Sequence, residues 1–443
     1  MNLLVTNAQD KQAYIIVRSL RDHFERIVVT TGSESVGGPG FPGLAAFSRH
    51  VDHRVTIPHF SDDWLAGLIG RENTPSEEAY VIEIERICQE RAIDVIYPSL
   101  DPEVYLFSKN KERFQAQGIL CVAPEYEVLE VPFNKARTMR ACAHAGFPIP
   151  NTFYPKSAAD LDRVVRESNP PWVIKPRYGA HSSNVQFADD EHALRQAFNE
   201  TEAIQPEPLI QEYVGGNERC NYYAIVGRDS ELLSLLNPES VRTWRSGKHY
   251  ALKTARSRAS ALYREELCRL ISELGLWGAY TIQAKIDPLD GQPKLLEINP
   301  RLGHHLWFRT ELGVNEPLMF LQLAQGKIVE PRSFPEGVLL VDPLHDFFYV
   351  SHCLVETVAR KMNRPPRLDW DANLVQAISE VKADYWNGES KVYCPEFRYF
   401  LDDPSPMLRL FLLKMGVRLR GRAPKLLRKL LKNVHNRIFK RNN

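Results

Sequence analysis

The stretch GAYTIQAKIDPLDGQPKLLEINPR, residues 278–301, combines two apolar runs with polar side chains at regular spacing. Both of its halves are largely apolar, and the Asp-Gly pair at 290–291 is typical of a turn between two strands. Side chains alternate between the faces of a strand, so Glu297 and Asn299 point the same way, with Arg301 just beyond a proline break. Carboxylate and amide oxygens suit Mg²⁺ held largely by phosphates, and an arginine can neutralise a group that is being transferred.

Gln283 adds a further oxygen ligand only if the two strands pair in one particular register. A two-residue turn at 290–291 would place Gln283 opposite Ile298 and send it to the wrong face. We therefore predict an odd-length loop or a bulge that places Gln283 opposite Glu297. An unpaired carboxylate among leucines and isoleucines is costly to bury, which favours a functional Glu297, and a structural salt bridge is the alternative.

A loop that could fold over phosphates follows an earlier strand. In PWVIKPRYGAHSSNV, residues 171–185, an apolar run delivers Lys175 and then breaks at a proline. The segment that follows carries Gly179, Ser182 and Ser183. Backbone amides and hydroxyls of such a loop donate to phosphate oxygens while a lysine supplies a point charge. Taken alone, this motif is better interpreted as a surface lysine before a turn.

The motif LIQEYVGGNE, residues 209–218, predicts an adenine-binding hinge. A strand that meets two glycines leaves backbone exposed around residues 212–214, where it can hydrogen-bond an adenine edge. Glu218 is then placed to bind ribose hydroxyls. Taken alone, the motif is better interpreted as a strand with a Gly-Gly turn and solvated acids.

Residues 1–125 alternate short apolar runs with helical patterns. The apolar runs are NLLVTN, RIVVTT, DVIYPS and GILCVA. Such alternation predicts a parallel sheet in a doubly wound domain. The string GPGFPG at 38–43 matches a dinucleotide-binding pattern, but its prolines stiffen it and no helix opens behind it, so we predict an ordinary loop. The strands and helices from about residue 146 to 330 predict an α+β body.

Composition is typical of a soluble enzyme with two or three packed units. The 443 residues are 44% apolar and 25% charged. The seven cysteines are scattered without a CxxC pair, which predicts reduced thiols. No apolar stretch approaches the roughly 18 residues that span a bilayer, and the N-terminus lacks the pattern of a secretory signal. We therefore expect a cytoplasmic protein.

The segment 405–443 carries 12 Lys or Arg and no Asp or Glu, which leaves 44 basic against 55 acidic residues before it. Leucines and other apolar residues recur there at helical spacing after Pro424. A basic amphipathic helix can lie on an anionic membrane, such as the inner face of the plasma membrane, or dock onto the acidic body. An acidic body argues against nucleic-acid binding.

Five motifs in this order and spacing resemble the ATP-grasp superfamily, nearest its carbamoyl-phosphate-synthetase-like branch of carboxylate-amine ligases. They are Asn134-Lys135, VIKPRYGAHSSNV, QEYVGGNE, the strand of Gln283 and LEINPR, within a likeness that covers about residues 1–330. The resemblance implies an α/β preATP-grasp (Rossmann-like) domain at 1–125 and an α+β ATP-grasp fold of two subdomains at 126–330. A mixed segment at 331–404 and the basic helical tail at 405–443 complete the expected organisation.

By this resemblance the protein would use ATP with Mg²⁺ (or Mn²⁺). The nucleotide-binding residues would be Lys135, Lys175, Gly179, Ser182, Gln211, Glu212, Tyr213, Val214 and Glu218. The metal ligands would be Gln283, Glu297 and Asn299. The catalytic residues would be Lys175 and Arg301, the latter steadying an acyl phosphate.

This sequence departs from the family pattern at two places. Asn134 stands where an aspartate usually precedes the first lysine, and LGHHLW follows the NPR triplet. His304 and His305 could line the acceptor pocket or act as a general base, or they could be structural. The segment 237–250 is rich in Arg, Lys, Trp and His and could recognise an anionic substrate, or form a solvated loop.

The reaction that the resemblance implies begins with phosphoryl transfer from ATP to a carboxylate. Attack by an amine then gives an amide, ADP and phosphate, so the expected partners are small-molecule carboxylates and amines. In one alternative, bicarbonate or carbamate is the carboxylate that is phosphorylated. In another, the chain is a nucleotide-binding membrane adaptor without turnover. A homo-oligomer is compatible with each of them.

Overall fold

The computed structural model of this chain describes residues 1–9, 11–32, 43–58, 70–179, 184–216, 218–243, 253–256, 263–303, 305–341, 343–361, 374–386, 388, 390–393, 399, 402–403 and 405–406. The predicted tail at 405–443 lies outside the described residues except for its first two positions. Ser182, Ser183 and His304 also lie outside them, as does most of the GPGFPG string.

Five short strands near the N-terminus form one parallel sheet in the order β3-β2-β1-β4-β5. They are β1 (Asn2–Val5), β2 (Arg26–Gly32), β3 (His53–Ile57), β4 (Val95–Tyr97) and β5 (Leu120–Cys121). The prediction of a parallel sheet is therefore confirmed. The strand β3 was not predicted, because it lies in the Gly- and Pro-rich stretch between residues 30 and 60.

Helices cover both faces of this sheet. The helices are α1 (Lys11–Leu20), α2 (Pro75–Arg91), α3 (Asp101–Lys109) and α4 (Lys111–Gln115), with short 3-10 turns at Arg21–His23 and Ala45–Phe47. Leu3 and Val5 pack in a core with α1, whereas Leu4, between them, packs with α2 and α3 on the other face. Burial on both faces explains why the central strands β1 and β4 are almost continuously apolar.

An antiparallel sheet in the order β6-β9-β7-β8 follows. Its strands are β6 (Thr152–Phe153), β7 (Trp172–Lys175), β8 (Gln186–Ala188) and β9 (Leu209–Glu212). The neighbouring helices are α5 (Tyr126–Phe133), α6 (Lys135–His144), α7 (Ala158–Glu167) and α8 (Glu191–Ile204). Trp172 and Ile174 pack against α7 and α8. Because side chains alternate along β7, Val173 and Lys175 point away from this core.

A second antiparallel sheet has the order β11-β10-β14-β15. Its strands are β10 (Arg219–Val226), β11 (Leu232–Leu236), β14 (Gly278–Ile286) and β15 (Pro293–Asn299), with helices α9 (Arg264–Glu273), α10 (Leu306–Glu311) and α11 (Glu316–Ala324) nearby. Ile282 and Ile298 pack against α6 and α9 in one core. On the opposite face, Tyr223 and Ala279 join the core that also contains β1 and α1.

The fourth sheet is a mixed sheet in the order β12-β13-β16-β17. The pairs β12-β13 and β13-β16 are antiparallel, and β16-β17 is parallel. Two of its strands come from the residues beyond 330. Its strands are β12 (Glu239–Thr243), β13 (Lys253–Arg256), β16 (Leu339–Val341) and β17 (Lys391–Tyr393), with helices α12 (Pro343–Lys361) and α13 (Leu374–Trp386). Among the described residues, no helix is both long enough and apolar enough to cross a bilayer.

A buried ion pair joins α10 to α11 beside β10. Arg309 Nε lies 2.5 Å from Glu316 Oε2, and each side chain is only 1% exposed. The Arg309 guanidinium also stacks 4.2 Å from the centroid of the Tyr223 ring. Burial raises the pKa of Glu316, and Arg309 opposes that rise.

Replacing Arg309 by leucine is expected to lower the free energy of unfolding by about 3–5 kcal/mol, because Glu316 would remain buried without its cation. Denaturant unfolding followed by tryptophan fluorescence measures the loss. The double replacement Arg309→Leu with Glu316→Leu is the control, and it should recover most of the stability because neither charge is then buried alone. A single variant as stable as the wild type would contradict this prediction.

Candidate functional site

A central cleft of about 240 Å³ lies between the two antiparallel sheets. One wall carries Val173, Lys175 and Gln211 from β7 and β9, and the other carries Gln283 and Glu297 from β14 and β15. The wall residues of β7 are those that alternate away from the core of α7 and α8. The cleft therefore combines apolar surface with a few polar groups that face each other, as small-molecule sites do.

Gln283 is paired with Glu297, and the predicted register is confirmed. The pairing shifts by one residue between Gln283 and Ala284, so that Ala284 lies opposite Leu295. The hairpin loop is longer than two residues, because Asp287 N donates to Gln292 O across it. On the other side, Gln283 pairs with Asn221 of β10. One row across three strands thus presents two amides and a carboxylate to the cleft.

Two lysines reach the cleft from the opposite side. Lys175 is the last residue of β7, and its Nζ donates a 2.6 Å hydrogen bond to Gln211 Oε1. Lys135 is the first residue of α6, and its Nζ donates a 2.6 Å hydrogen bond to the carbonyl oxygen of Gly179. Gly179 lines the cleft with φ +145°, a backbone conformation that suits glycine. Both ammonium groups therefore lie at the start of the loop predicted to cover phosphates.

Asn134, the departure from the usual aspartate, has two structural roles. Its Oδ1 accepts a hydrogen bond from Arg137 N as the N-cap of α6. Its Nδ2 donates 2.9 Å to the Tyr178 hydroxyl, in the loop that follows β7. An aspartate could cap the helix but could not donate to Tyr178. The asparagine therefore ties α6 to the loop while it leaves Lys135 in place.

The electrostatics of the cleft link Glu297 to both lysines. Burial lowers the pKa of Lys175 to about 8, Glu297 opposes this change, and Lys135 adds to it. Burial also lowers the pKa of Lys135, and Glu297 and Asp101 oppose this change. Two partly desolvated ammonium groups with one carboxylate between them form a site that gains from the arrival of more negative charge.

The affinity of this cleft for a phosphate-bearing ligand should fall as the pH rises through about 8. Below that pH Lys175 is protonated and can bind phosphate oxygens, and above it each binding event must also take up a proton. Lys135 is shifted in the same direction and strengthens the trend. Titration calorimetry with Mg-ATP between pH 7 and 9.5 should give a Kd that rises toward tenfold per pH unit above about 8.

The control for this pH dependence is Lys175→Arg, since a guanidinium keeps its charge throughout that range. The variant should show a flatter pH profile than the wild type. Equal slopes in the two proteins would mean that Lys175 does not set the pH dependence.

The structure narrows the predicted adenine hinge to one residue. Glu212 N already donates to Asn151 O, and Tyr213 N donates to Pro171 O. The Val214 carbonyl accepts a 2.6 Å hydrogen bond from Lys285 Nζ. The expectation that the backbone of all of residues 212–214 is available for adenine is therefore corrected, because two of its amides are used by neighbouring strands. Among the described residues, the amide of Val214 donates to no backbone oxygen, so the predicted contact with an adenine edge is narrowed to this amide.

Three predicted residues lie outside the lining of the cleft. Asn299 Nδ2 donates a 3.1 Å hydrogen bond to Glu297 Oε1, which links it to a residue of the cleft wall. Arg301 is buried, and its Nε lies 2.6 Å from Asp101 Oδ2. Glu218 is exposed beyond the Gly-Gly turn. Their proposed contacts with metal, acyl phosphate and ribose stay predictions.

A glycine packs the segment beyond Arg301 against β14. The carbonyl oxygen of Arg301 accepts a hydrogen bond from Thr281 Oγ1 at 3.2 Å. At Gly303 an added Cβ would lie 2.0 Å from the same hydroxyl oxygen. No larger residue fits at position 303 without movement of β14, so the glycine allows residues 301–303 to pack closely against that strand. His305 then begins α10 in the left-handed conformation, with φ +63°.

Sequence patterns missed several residues that line the cleft. Phe187 is one of them, and it forms an edge-to-face pair with the predicted Tyr213, with ring centroids 6.0 Å apart. The position of Lys285 in the cleft could have been predicted, because this residue lies two positions after Gln283 and therefore on the same face of the strand. No sequence pattern indicated Asn221, since its position opposite Gln283 depends on how β10 pairs with β14. Of the segment 237–250, the structure describes residues only up to 243.

The sequence pattern of one known family, described as the ATP-grasp domain, matches residues 133–304. The match begins just before Lys135 and ends just after Arg301. It therefore spans both antiparallel sheets and the whole of the central cleft.

Individual proteins resemble the chain more weakly. The arginine-specific large chain of carbamoyl phosphate synthase from Eremothecium gossypii is 22% identical over 191 residues, which cover 42% of this chain and 17% of that one. The biotin carboxylase domain of 2-oxoglutarate carboxylase from Hydrogenobacter thermophilus, solved with MgADP, ADP and bicarbonate, superposes with a TM-score of 0.58 at 15% identity over 76% of this chain and 73% of that one. N5-carboxyaminoimidazole synthetase from Staphylococcus aureus gives 0.52 at 13% identity over 76% and 79%. The chain spans less than a fifth of the curated relatives it matches first.

Proposed function

Because residues 133–304 belong to the ATP-grasp family, we propose that this protein is an ATP-dependent ligase. It phosphorylates a small-molecule carboxylate and transfers the resulting acyl group to an amine. The products are an amide or related C–N bond, ADP and phosphate.

The observation that carries this proposal is the confirmed pairing of Gln283 with Glu297 opposite two lysines. The donor set fits magnesium nucleotide: one carboxylate and neighbouring amides offer the oxygen ligands that Mg²⁺ takes, and phosphates supply the others. Lys135 and Lys175 are partly desolvated cations that gain from bound phosphates. The apolar wall around Val173 and the aromatic pair at the mouth suit an adenine ring.

In the proposed reaction the protein positions reactants and neutralises charge, because phosphoryl transfer needs little else. Lys135 and Lys175 bind phosphate oxygens of ATP, and the amide of Val214 binds the adenine edge. Gln283, Glu297 and Asn299 hold Mg²⁺ (or Mn²⁺), which when bound would neutralise charge on the transferred phosphoryl group. Arg301 stabilises the acyl phosphate that forms as the carboxylate oxygen takes the γ-phosphoryl group.

The other units take supporting roles in this proposal. Residues 1–125 form a preATP-grasp domain whose parallel sheet borders the reaction centre, and residues 126–330 form the two ATP-grasp subdomains. The segment 331–404 extends the body, and the basic tail 405–443 contacts an anionic membrane surface or another protein chain. The dimer named for the 2-oxoglutarate carboxylase domain makes a homo-oligomer a reasonable arrangement to test.

Bicarbonate is the second candidate for the activated carboxylate. One structural neighbour was solved with bicarbonate, and curated relatives are named carbamoyl phosphate synthases. In that case the activated species is carboxyphosphate, and the product with an amine is a carbamate. The proposal then predicts ADP release that depends on bicarbonate and needs no organic acid.

A phosphate-release screen over carboxylates, bicarbonate and amines, with mass detection of products, tests these functions. The ligase proposal expects ADP and a product whose mass equals the acid plus the amine minus water. Bicarbonate-dependent release without any organic acid would select the second candidate. Tight Mg-ATP binding with no release under every condition would indicate a nucleotide-binding adaptor and reject both.

A further inference from the structure

The N-terminal unit contributes a buried carboxylate beside the proposed reaction centre. Asp101 is the first residue of α3, just after β4. Its Oδ2 lies 2.6 Å from Arg301 Nε, and the two side chains are 3% and 6% exposed. Arg301 follows Asn299 by two residues, and Asp101 also acts electrostatically on Lys135 in the cleft wall. Asp101 thus links the unit of the parallel sheet to the residues beside the cleft.

This position is where open parallel sheets bind ligands. The strands β2 and β3 lie on one side of β1, and β4 and β5 lie on the other. The strand order therefore reverses between β1 and β4, and the crevice outside the carboxyl ends of such strands is a common binding site. Asp101 lies at that end of β4.

The two carboxylate oxygens of Asp101 differ in their hydrogen bonds. Oδ1 is buried and accepts no hydrogen bond from the part of the chain that the structure describes. Glu103, two residues later, is different, because it accepts hydrogen bonds from Thr6 Oγ1 at 2.7 Å and from the Tyr80 hydroxyl at 2.8 Å. A buried carboxylate oxygen without a donor is costly. Asp101 is therefore suited to a donor that arrives with a ligand.

The reactants of the proposed function differ in what they can donate. An ionised carboxylate substrate and the phosphates of ATP are acceptors only, so Asp101 would repel them. The attacking amine is the reactant at this end of the nucleotide that carries N–H donors. Its hydrogen bond to a carboxylate would be charge-assisted when the amine arrives as an ammonium ion.

We propose that Asp101 binds the amine substrate. Its Oδ1 accepts a hydrogen bond from the nitrogen that will attack the activated carboxylate, while its Oδ2 holds Arg301 beside the acyl phosphate. The inference rests on the proposed function and deepens it, because it makes an amine that arrives as an ammonium ion the preferred substrate. The ammonium ion loses one proton to water before its nitrogen attacks, and the nitrogen loses a second proton as phosphate leaves. It also gives the N-terminal unit a direct part in substrate binding.

The test compares two amine probes in the full chain, with the carboxylate that gives the fastest ADP release. Methylammonium is cationic near neutral pH, and hydroxylamine is mostly neutral there. Asp101→Asn should raise the KM for methylammonium roughly 10- to 100-fold and that for hydroxylamine much less, because the variant loses the charge but keeps an acceptor. ADP release without any amine is measured alongside, because Asp101→Asn also removes the charge that holds Arg301; the rise in the KM for methylammonium should exceed any fall in that release at least about tenfold.

Asp22→Asn is the matched control, since the Asp22 side chain is 84% exposed. It should leave every parameter unchanged. If Asp101→Asn lowers amine-free ADP release and the use of both probes equally, Asp101 acts only by positioning Arg301 and the amine site is rejected. An unchanged KM for methylammonium rejects it as well. No ADP release from the wild type with any carboxylate rejects the proposed function, and the amine site with it.

A second measurement needs no variant and covers the case in which Asp101→Asn does not fold. In the wild type, methylammonium should compete with hydroxylamine, whereas tetramethylammonium, which has no N–H donor, should compete at least about tenfold more weakly. Equal competition by the two cations would mean that no hydrogen-bond acceptor selects the amine, and it would overturn the proposal.

Discussion

Replacing Glu297 by glutamine is expected to reduce ATP-dependent turnover by about 10³-fold while it leaves the fold intact. Glutamine keeps the shape of the side chain but removes the one carboxylate in the row of oxygen ligands. That carboxylate also holds charge on Lys135 and Lys175. Its loss should weaken both the proposed metal site and the lysines proposed to bind phosphates, and remove several kcal/mol of charge stabilisation from the transition state. ADP release measured at saturating Mg-ATP gives the effect.

Glu231→Gln is the matched control, because Glu231 is exposed in the turn between β10 and β11 of the same sheet. It should retain full turnover. Thermal unfolding of both variants checks that the sheet is preserved. A Glu297→Gln variant that keeps more than about a tenth of wild-type turnover would show that the carboxylate is structural, as the alternative interpretation holds.

Replacing Arg301 by methionine is expected to have two separate large effects. The first is a fall in turnover of about 10²–10³-fold, the usual result of removing one donor from a transition-state oxyanion. The second is a loss of about 3–5 kcal/mol of stability, because Asp101 stays buried without its cation. Turnover at saturating substrates measures the first effect, and denaturant unfolding measures the second.

Arg301→Lys separates the two effects. A lysine keeps a cation near Asp101 and should restore most of the stability, but it lacks the planar fork of donors and should leave turnover low. If methionine destabilises the protein and leaves the rate per folded molecule unchanged, Arg301 is a structural bridge between units and has no role in transfer.

The alternation of side chains along strands made the shared face of these oxygen-bearing side chains predictable. Glu297 and Asn299 had to share a face, and only one register could bring Gln283 to that face. Polar side chains inside the apolar strands β14 and β15 supplied the signal. A one-residue slip would have turned these polar side chains toward the apolar core. The pairing that keeps them in the cleft is the one observed, and the bulge beside Gln283 accommodates it.

Contacts between distant segments could not be predicted in this way. Asp101 and Arg301 are 200 positions apart, and no periodicity connects them. The same holds for the sheet that joins β13 to β16, which pair through Arg256 and Leu339. The strand β3 was hidden because its burial is one-sided and its sequence, HRVTI, is mostly polar. Such features depend on packing between units, which local patterns do not encode.

The hinge shows a different limit of sequence analysis. The motif located the exposed end of β9 correctly, but the number of free backbone donors depends on the neighbouring strands. Asn151 and Pro171 take two of the three amides, and Lys285 occupies the Val214 carbonyl. The partner of a backbone group is set by the sheet around it, so only the structure could reduce the hinge to Val214.

The central claim is that a divalent ion lies between nucleotide phosphates and the side chains of Gln283, Glu297 and Asn299. Crystals grown with Mn²⁺ and a non-hydrolysable ATP analogue, measured for anomalous scattering of manganese, test it most directly. We predict a manganese peak about 2.1 Å from a Glu297 carboxylate oxygen, with Lys175 Nζ on the phosphates. A nucleotide bound elsewhere, or a manganese ion bound with no ligand from these three residues, would contradict the account.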